Sequence, residues 1–263
     1  MEAPTASGAE IAAPATPASE IRELAVLTST FGAEWSLRYG FAVFVGGTIL
    51  AILLPERVDH AAGDREPGWR RRRPAVPRAV VLGLRSNAGL RLLSGFLTMF
   101  MAFLLRDEPF PGWEDKPALL LGLVIGSAGL GSTIGIALGS VLRRIKPEVT
   151  VVLMLLADAA VAVLVTLLYT LPTAVLLGLT AGLAQSLGKL SLDALIQRDV
   201  PERTRAGTFA RSETLLQWSW VVGGFIGIAL PLVPQVGLGV AAAILVGWTL
   251  WVVSSVRRSP VAG

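Results

Sequence analysis

The chain has no cysteine, a single histidine (His60), two tyrosines and one asparagine (Asn87) in 263 residues. Without cysteine there is neither a disulfide nor a thiolate metal site. His60 lies in a hydrophilic stretch, so no apolar segment carries an imidazole, and a serine protease working inside a membrane would lack its base. No HExxH pair is present to hold a catalytic zinc. Charge is scarce as well: charged residues are 16% of the chain, where a soluble domain carries roughly a quarter. No enzyme chemistry, cofactor or metal is expected from this inventory.

What is abundant is apolar. Hydrophobic residues make up 53% of the chain, with a mean hydropathy of +0.64. Too little polar surface remains to face water, so the chain reads as crossing a bilayer several times. The formal charge of +4 and isoelectric point near 10.1 do not point to nucleic acid, because the basic residues sit in short clusters between apolar runs. That pattern marks cytoplasmic loops. Residues 1–20, rich in Ala, Pro, Thr and Ser, lack the basic and apolar regions of a secretory signal and read as a disordered tail.

In chain order, residues 1–34 form a disordered or amphipathic segment and 35–55 a single spanning helix, apolar from Tyr39 to Leu54. Residues 56–87 form a basic cytoplasmic linker with Arg70–Arg73 at its centre. A six-helix bundle occupies 88–258, with spans at 88–105, 118–142, 149–171, 173–195, 213–230 and 238–253; residues 259–263 are a tail. Pro172 is expected in a tight outer turn, and 196–212 as an arginine-rich inner loop. Alternating crossings place the linker, the loop with Arg143, Arg144 and Lys146, the loop with Arg198, Arg203 and Arg205, and the end with Arg257 and Arg258 on one side. The acidic loop with Asp107, Glu108, Glu114 and Asp115 falls on the other. The expected fold is therefore an all-α polytopic transmembrane helix bundle of about seven spans.

Charges within the spans are few, and such groups are functional candidates by default. Arg91 lies near the inner end of its span, where it could snorkel or face a cavity. Asp158 is at mid-depth, as a hydrogen-bonded structural carboxyl or a proton-coupling site. Lys189 and Asp193, four apart, can bridge along one helix face or contact a solute. Glu213 is expected to open a helix, as a cap favoured by the helix dipole. Asp158 and Asp193 fall at different depths, against an aspartyl catalytic pair. Small-residue pairs, Gly122–Gly126, Gly131–Gly135–Gly139, Gly178–Gly182 and Gly223–Gly227, are spaced for close helix packing.

These segments resemble the C-terminal half of a major facilitator superfamily transporter, of the efflux type found in actinobacteria. The likeness is strongest over LSLDALIQRDVPERTRAGTFARSETLLQWSWVVGGFIG (Leu190–Gly227), similar to the tenth span, inner loop and eleventh span of such members. RLLSGFLTMFMAFLLRDE (Arg91–Glu108) looks like their seventh span, and GIALGSVLRRIKPE (Gly135–Glu148) like the basic loop between spans eight and nine. Residues 32–59 resemble the sixth span. The resemblance implies a six-helix domain plus one preceding helix, moving a small solute or drug across the cell membrane by alternating access, with proton coupling as an option. It also implies a missing wall: family members have about twelve spans in two halves, with solute between them. The expected partners are the lipid bilayer, the solute, and a second half-transporter or another copy of the chain; the alternative is a scaffold or fragment that transports nothing.

Overall fold

A computed structural model describes residues 33–52, 76–141 and 145–257. The N-terminal segment expected to be disordered, Arg70–Arg73, Arg143, Arg144, Arg258 and the last residues lie outside these. The chain divides into two compact units, Met1–Arg65 and Glu66–Gly263. The first holds α1 (Ala33–Ile52), with the exposed aromatics Phe41 and Phe44.

Among its described residues the second unit holds six helices: α2 (Arg78–Asp107), α3 (Pro117–Val141), α4 (Pro147–Leu167), α5 (Leu171–Asp199), α6 (Glu202–Ala229) and α7 (Pro234–Arg257). No strand occurs among the described residues. The chain is an all-α helix bundle, and α2, α3, α4, α5 and α7 are long and apolar enough to cross a membrane. The sixth helix is not in this group, because Glu202, Arg203, Arg205, Arg211 and Glu213 make its first half polar.

Several expected boundaries are corrected. The linker does not run to Asn87: a helix starts at Arg78, ten residues before the expected Ala88, behind Pro77. The arginine-rich stretch 196–212 is not a loop. Helix α5 runs on to Asp199, the chain turns at Val200–Pro201, and α6 begins at Glu202. The corner has a local cause. A residue before proline is pushed out of the helical region, and Val200 is extended (φ −99°, ψ 128°). Proline itself fits a helix start, where its missing N–H is not needed. Pro172 likewise belongs to the first turn of α5 and not to an outer turn, with Thr170 and Thr173 forming a reciprocal cap. At 30 residues and about 1.5 Å per residue, α2 is about 45 Å long. That is the full thickness of a bilayer with its headgroups, so arginines at helix ends need not leave the helix.

Two parallel crossings hold the bundle together. In the first, α2 meets α6: a Cβ at Gly95 would run into the Trp220 carbonyl, and one at Gly223 into the Leu92 carbonyl. In the second, α3 meets α5: Gly131 faces the Leu179 carbonyl, Gly182 the Ala128 carbonyl, and Gly178 the Ser127 hydroxyl. Gly135, Gly139 and Gly227 extend these same contacts. Ser132 and Ser186 share a 2.6 Å hydrogen bond across the second crossing. Gly122 and Gly126 are different. A Cβ at either would meet nothing within 4 Å, so this pair does not pack against another helix.

The pairings have an internal symmetry. Exchange α2, α3, α4 with α5, α6, α7, and the α3–α5 contact becomes α6–α2, the slight α2–α3 contact becomes α5–α6, and α4–α5 becomes α7–α2. The α2–α5 and α4–α7 contacts map onto themselves; α2–α7 is much slighter than its counterpart α4–α5, and α2–α4 has no counterpart of like extent. Phe96 and Phe100 of α2, stacked at 4.9 Å, lie in the buried core with Leu155 of α4 and Leu245 of α7.

Candidate functional site

Helix α5 carries Gln185, Lys189 and Asp193 four residues apart, which puts them on one face. The Lys189 ammonium lies 3.1 Å from Asp193 Oδ1 and 2.9 Å from Glu213 Oε2 of α6. One cation thus serves two carboxylates from two helices. Exposures of 31%, 30% and 43% put the cluster between the regimes of surface pairs and sealed ones. Solvated pairs contribute about 0.2–1 kcal/mol, whereas breaking a fully desolvated pair costs about 3–5 kcal/mol.

Glu213 does not open a helix. It is the twelfth residue of α6, which starts at Glu202, so the capping role is corrected to that of an interhelical ion partner. The Lys189–Asp193 pair was readable from spacing; the third member was not, because it comes from another helix and 24 residues away.

Asp193 also borders a 670 Å³ cleft between α3, α4 and α5, with Ile136, Pro147, Thr150, Leu190 and Gln197 among its walls. Below it, Arg198 joins the end of α5 to Glu148 in the first turn of α4 and to its neighbour Asp199 at 2.7 Å. Arg205 Nη2 donates to the Val200 carbonyl at 3.3 Å, bracing the corner.

The structure does not bring the remaining candidates to this cluster. Arg91 is half-buried on α2 and belongs to none of the described ion pairs. Asp158 is fully buried on α4, and neither of its carboxyl oxygens has a hydrogen-bond partner. The Thr180 hydroxyl beside it donates instead to the Leu176 carbonyl at 2.9 Å.

The sequence places Asn87 at the end of the linker 56–87. It is instead 3% exposed within α2, and its amide donates to the carbonyls of Gly83 and of Gly188 on α5, both at 2.9 Å. The glycine at 188 lets the two helices come this close, since a Cβ there would press on the Asn87 side chain. Near the same end, Trp248 of α7 donates to the Arg85 carbonyl at 2.9 Å, and the Arg85 guanidinium lies 4.6 Å over the Trp251 ring. On the opposite side of the bundle, Tyr169 packs on Phe110 at 4.6 Å, and burial together with the charge of Glu108 pushes its hydroxyl up to about 12.

No protein-family model and no solved structure matches the chain. Among curated proteins it is similar to an uncharacterized protein of Mycobacterium leprae, 28% identical over 226 residues, covering 78% of this chain and 39% of the relative. It is also similar to uncharacterized proteins of two Mycobacterium tuberculosis strains, 28% identical over 242 residues, covering 84% of this chain and 43% of each relative. The chain therefore spans about two fifths of the length of these relatives.

Proposed function

We propose that the chain is one bundle of a transporter of the major facilitator type, moving a small solute or drug by alternating access. The carrying observation is the exchange symmetry of the helix pairings. Two triplets related in this way are the building plan of each half of such transporters, whose solute site lies where the halves face each other. The glycine crossings fit the same reading: they hold the triplets together by shape, leaving charged groups free for other work. The length of the mycobacterial relatives leaves room for a second bundle.

In this reading Lys189, Asp193 and Glu213 are the polar wall of the solute path, with Arg91 of α2 a further contact. Ions held half in water can exchange partners, which sealed ions cannot do without a large penalty. Asp158 has a different place. Buried away from solvent without a hydrogen-bond partner, it is the candidate for ion coupling and not for solute contact.

The test is reconstitution into proteoliposomes together with a second half-transporter or as a dimer of the chain, so that both walls of the path are present, with an imposed pH gradient and ethidium as the probe solute. Ethidium flux above that of empty vesicles is expected, falling about tenfold in Asp193→Asn, as loss of roughly 1.4 kcal/mol of ion-dependent stabilisation would give. No flux for ethidium or for a panel of neutral and anionic solutes would favour the alternative, a scaffold or fragment without transport.

A further inference from the structure

Helices α5 and α6 diverge from the corner at Val200–Pro201 like the arms of a V. Each then follows a different partner, α5 along α3 and α4, α6 along α2. Between the arms there is little contact. Lys189 is 11 residues from Val200 and Glu213 is 12 from Pro201, so their 2.9 Å bridge ties the arms about 17 Å from the corner.

The exchange-related V, formed by α2 and α3, is built differently. At the equivalent height it holds a 170 Å³ apolar cavity, with Leu97 and Met101 on α2, Val124 and Ile125 on α3, and Leu177 and Ala181 from α5 behind. One V is therefore tied by charge, whereas the other has no ion pair between its arms among the described residues.

We propose that the Lys189–Glu213 bridge is a releasable latch, and that breaking it lets α6 swing away from α5 about its glycine crossing with α2. Three features make the swing cheap. The crossing at Gly95, Gly223 and Gly227 is smooth, with backbone against backbone, so α6 can turn on it without side chains unlocking. Helix α6 has no other extensive neighbour among the described residues. Lys189 keeps a partner when released, because Asp193 is 3.1 Å away on its own helix, so the ammonium is not stranded. Glu213, the most exposed of the three, is the group that must find a new partner. This goes beyond the transport reading, and its readout requires no solute.

The absence of cysteine makes a clean test, since introduced thiols are the only ones to carry spin labels. One label pair, Gln185→Cys with Gln217→Cys, sits a turn beyond the latch on each arm. A control pair, Thr133→Cys with Leu176→Cys, reports the α3–α5 crossing. In nanodiscs the arm pair is expected to give one narrow distance. In Glu213→Gln a longer distance appears in comparable population. The reversed bridge, Lys189→Glu with Glu213→Lys, brings back the narrow distance, and the control pair stays constant throughout. An unchanged arm distance in Glu213→Gln overturns the latch. So does lengthening that charge reversal fails to cure, or lengthening accompanied by a change in the control pair, since either means general loosening.

Discussion

At the scale of single residues, the informative side chains are polar ones whose partners come from another helix. Asn87 reads as linker in a sequence because an amide before an apolar run looks like its boundary. Its role follows from Gly188, 101 residues away, whose carbonyl accepts the Asn87 amide across the helix contact. Interhelical hydrogen bonds in membranes average about 0.6 kcal/mol and reach about 1.7. Asn87→Ala removes one such bond, to Gly188, and a second within α2, to Gly83, from a buried site, so a loss of about 1–2 kcal/mol is expected, seen as a lower midpoint in thermal unfolding in detergent. Asn87→Asp should do at least as badly, since the carboxylate offers no N–H to either carbonyl. The Lys189 cluster was half legible for the same reason. Asp193 is four residues along the same helix, whereas Glu213 belongs to another element and its supposed position at a helix start concealed it.

Among elements, the existence of the helices was legible and their ends were not. Hydropathy reports how deep a residue sits in hydrocarbon; a helix continues for as long as its backbone hydrogen bonds do. Arg78 and Arg85 of α2, and Arg203, Arg205 and Arg211 of α6, are helical residues at the rim, where long side chains reach water from a helical backbone. Spacing alone also could not say which glycines pack. Helix α3 is apolar all round, so Gly122–Gly126 and Gly131–Gly135 look alike in sequence, yet only the second pair faces α5. This contrast gives a paired prediction. Gly95→Ala and Gly223→Ala force a methyl into a backbone carbonyl and should lower the unfolding midpoint by several degrees, at a cost of about 1–3 kcal/mol. Gly122→Ala and Gly126→Ala enter open space, and should be neutral or stabilising by up to about 1 kcal/mol, the helical preference of alanine over glycine. Thermal melts of the four variants check both halves.

For the whole molecule, fold class was available from composition, because a chain with 16% charge and 53% hydrophobic residues can satisfy its backbone in lipid only as helices or a closed barrel. The symmetry of the pairings was not, since it belongs to contacts between helices and not to any one of them. Sidedness follows from charge. Single cysteines at Arg203, in the first turn of α6, and at Asp115, in the acidic connection before α3, should be modified from opposite sides of sealed vesicles. A membrane-impermeant maleimide, applied before and after permeabilisation, reads this directly; labelling of both from one side would remove the alternating arrangement of crossings.

The two glycine crossings also constrain descent. Where a single methyl would strike the main chain of a neighbouring helix, as at Gly95, Gly131, Gly182 and Gly223, substitution must wait for that helix to shift. Working sequences that diverge from this one should therefore keep those four glycines fixed while Gly122 and Gly126 drift freely. The lineage would carry an imprint of the bundle's geometry in the residues it could never afford to enlarge.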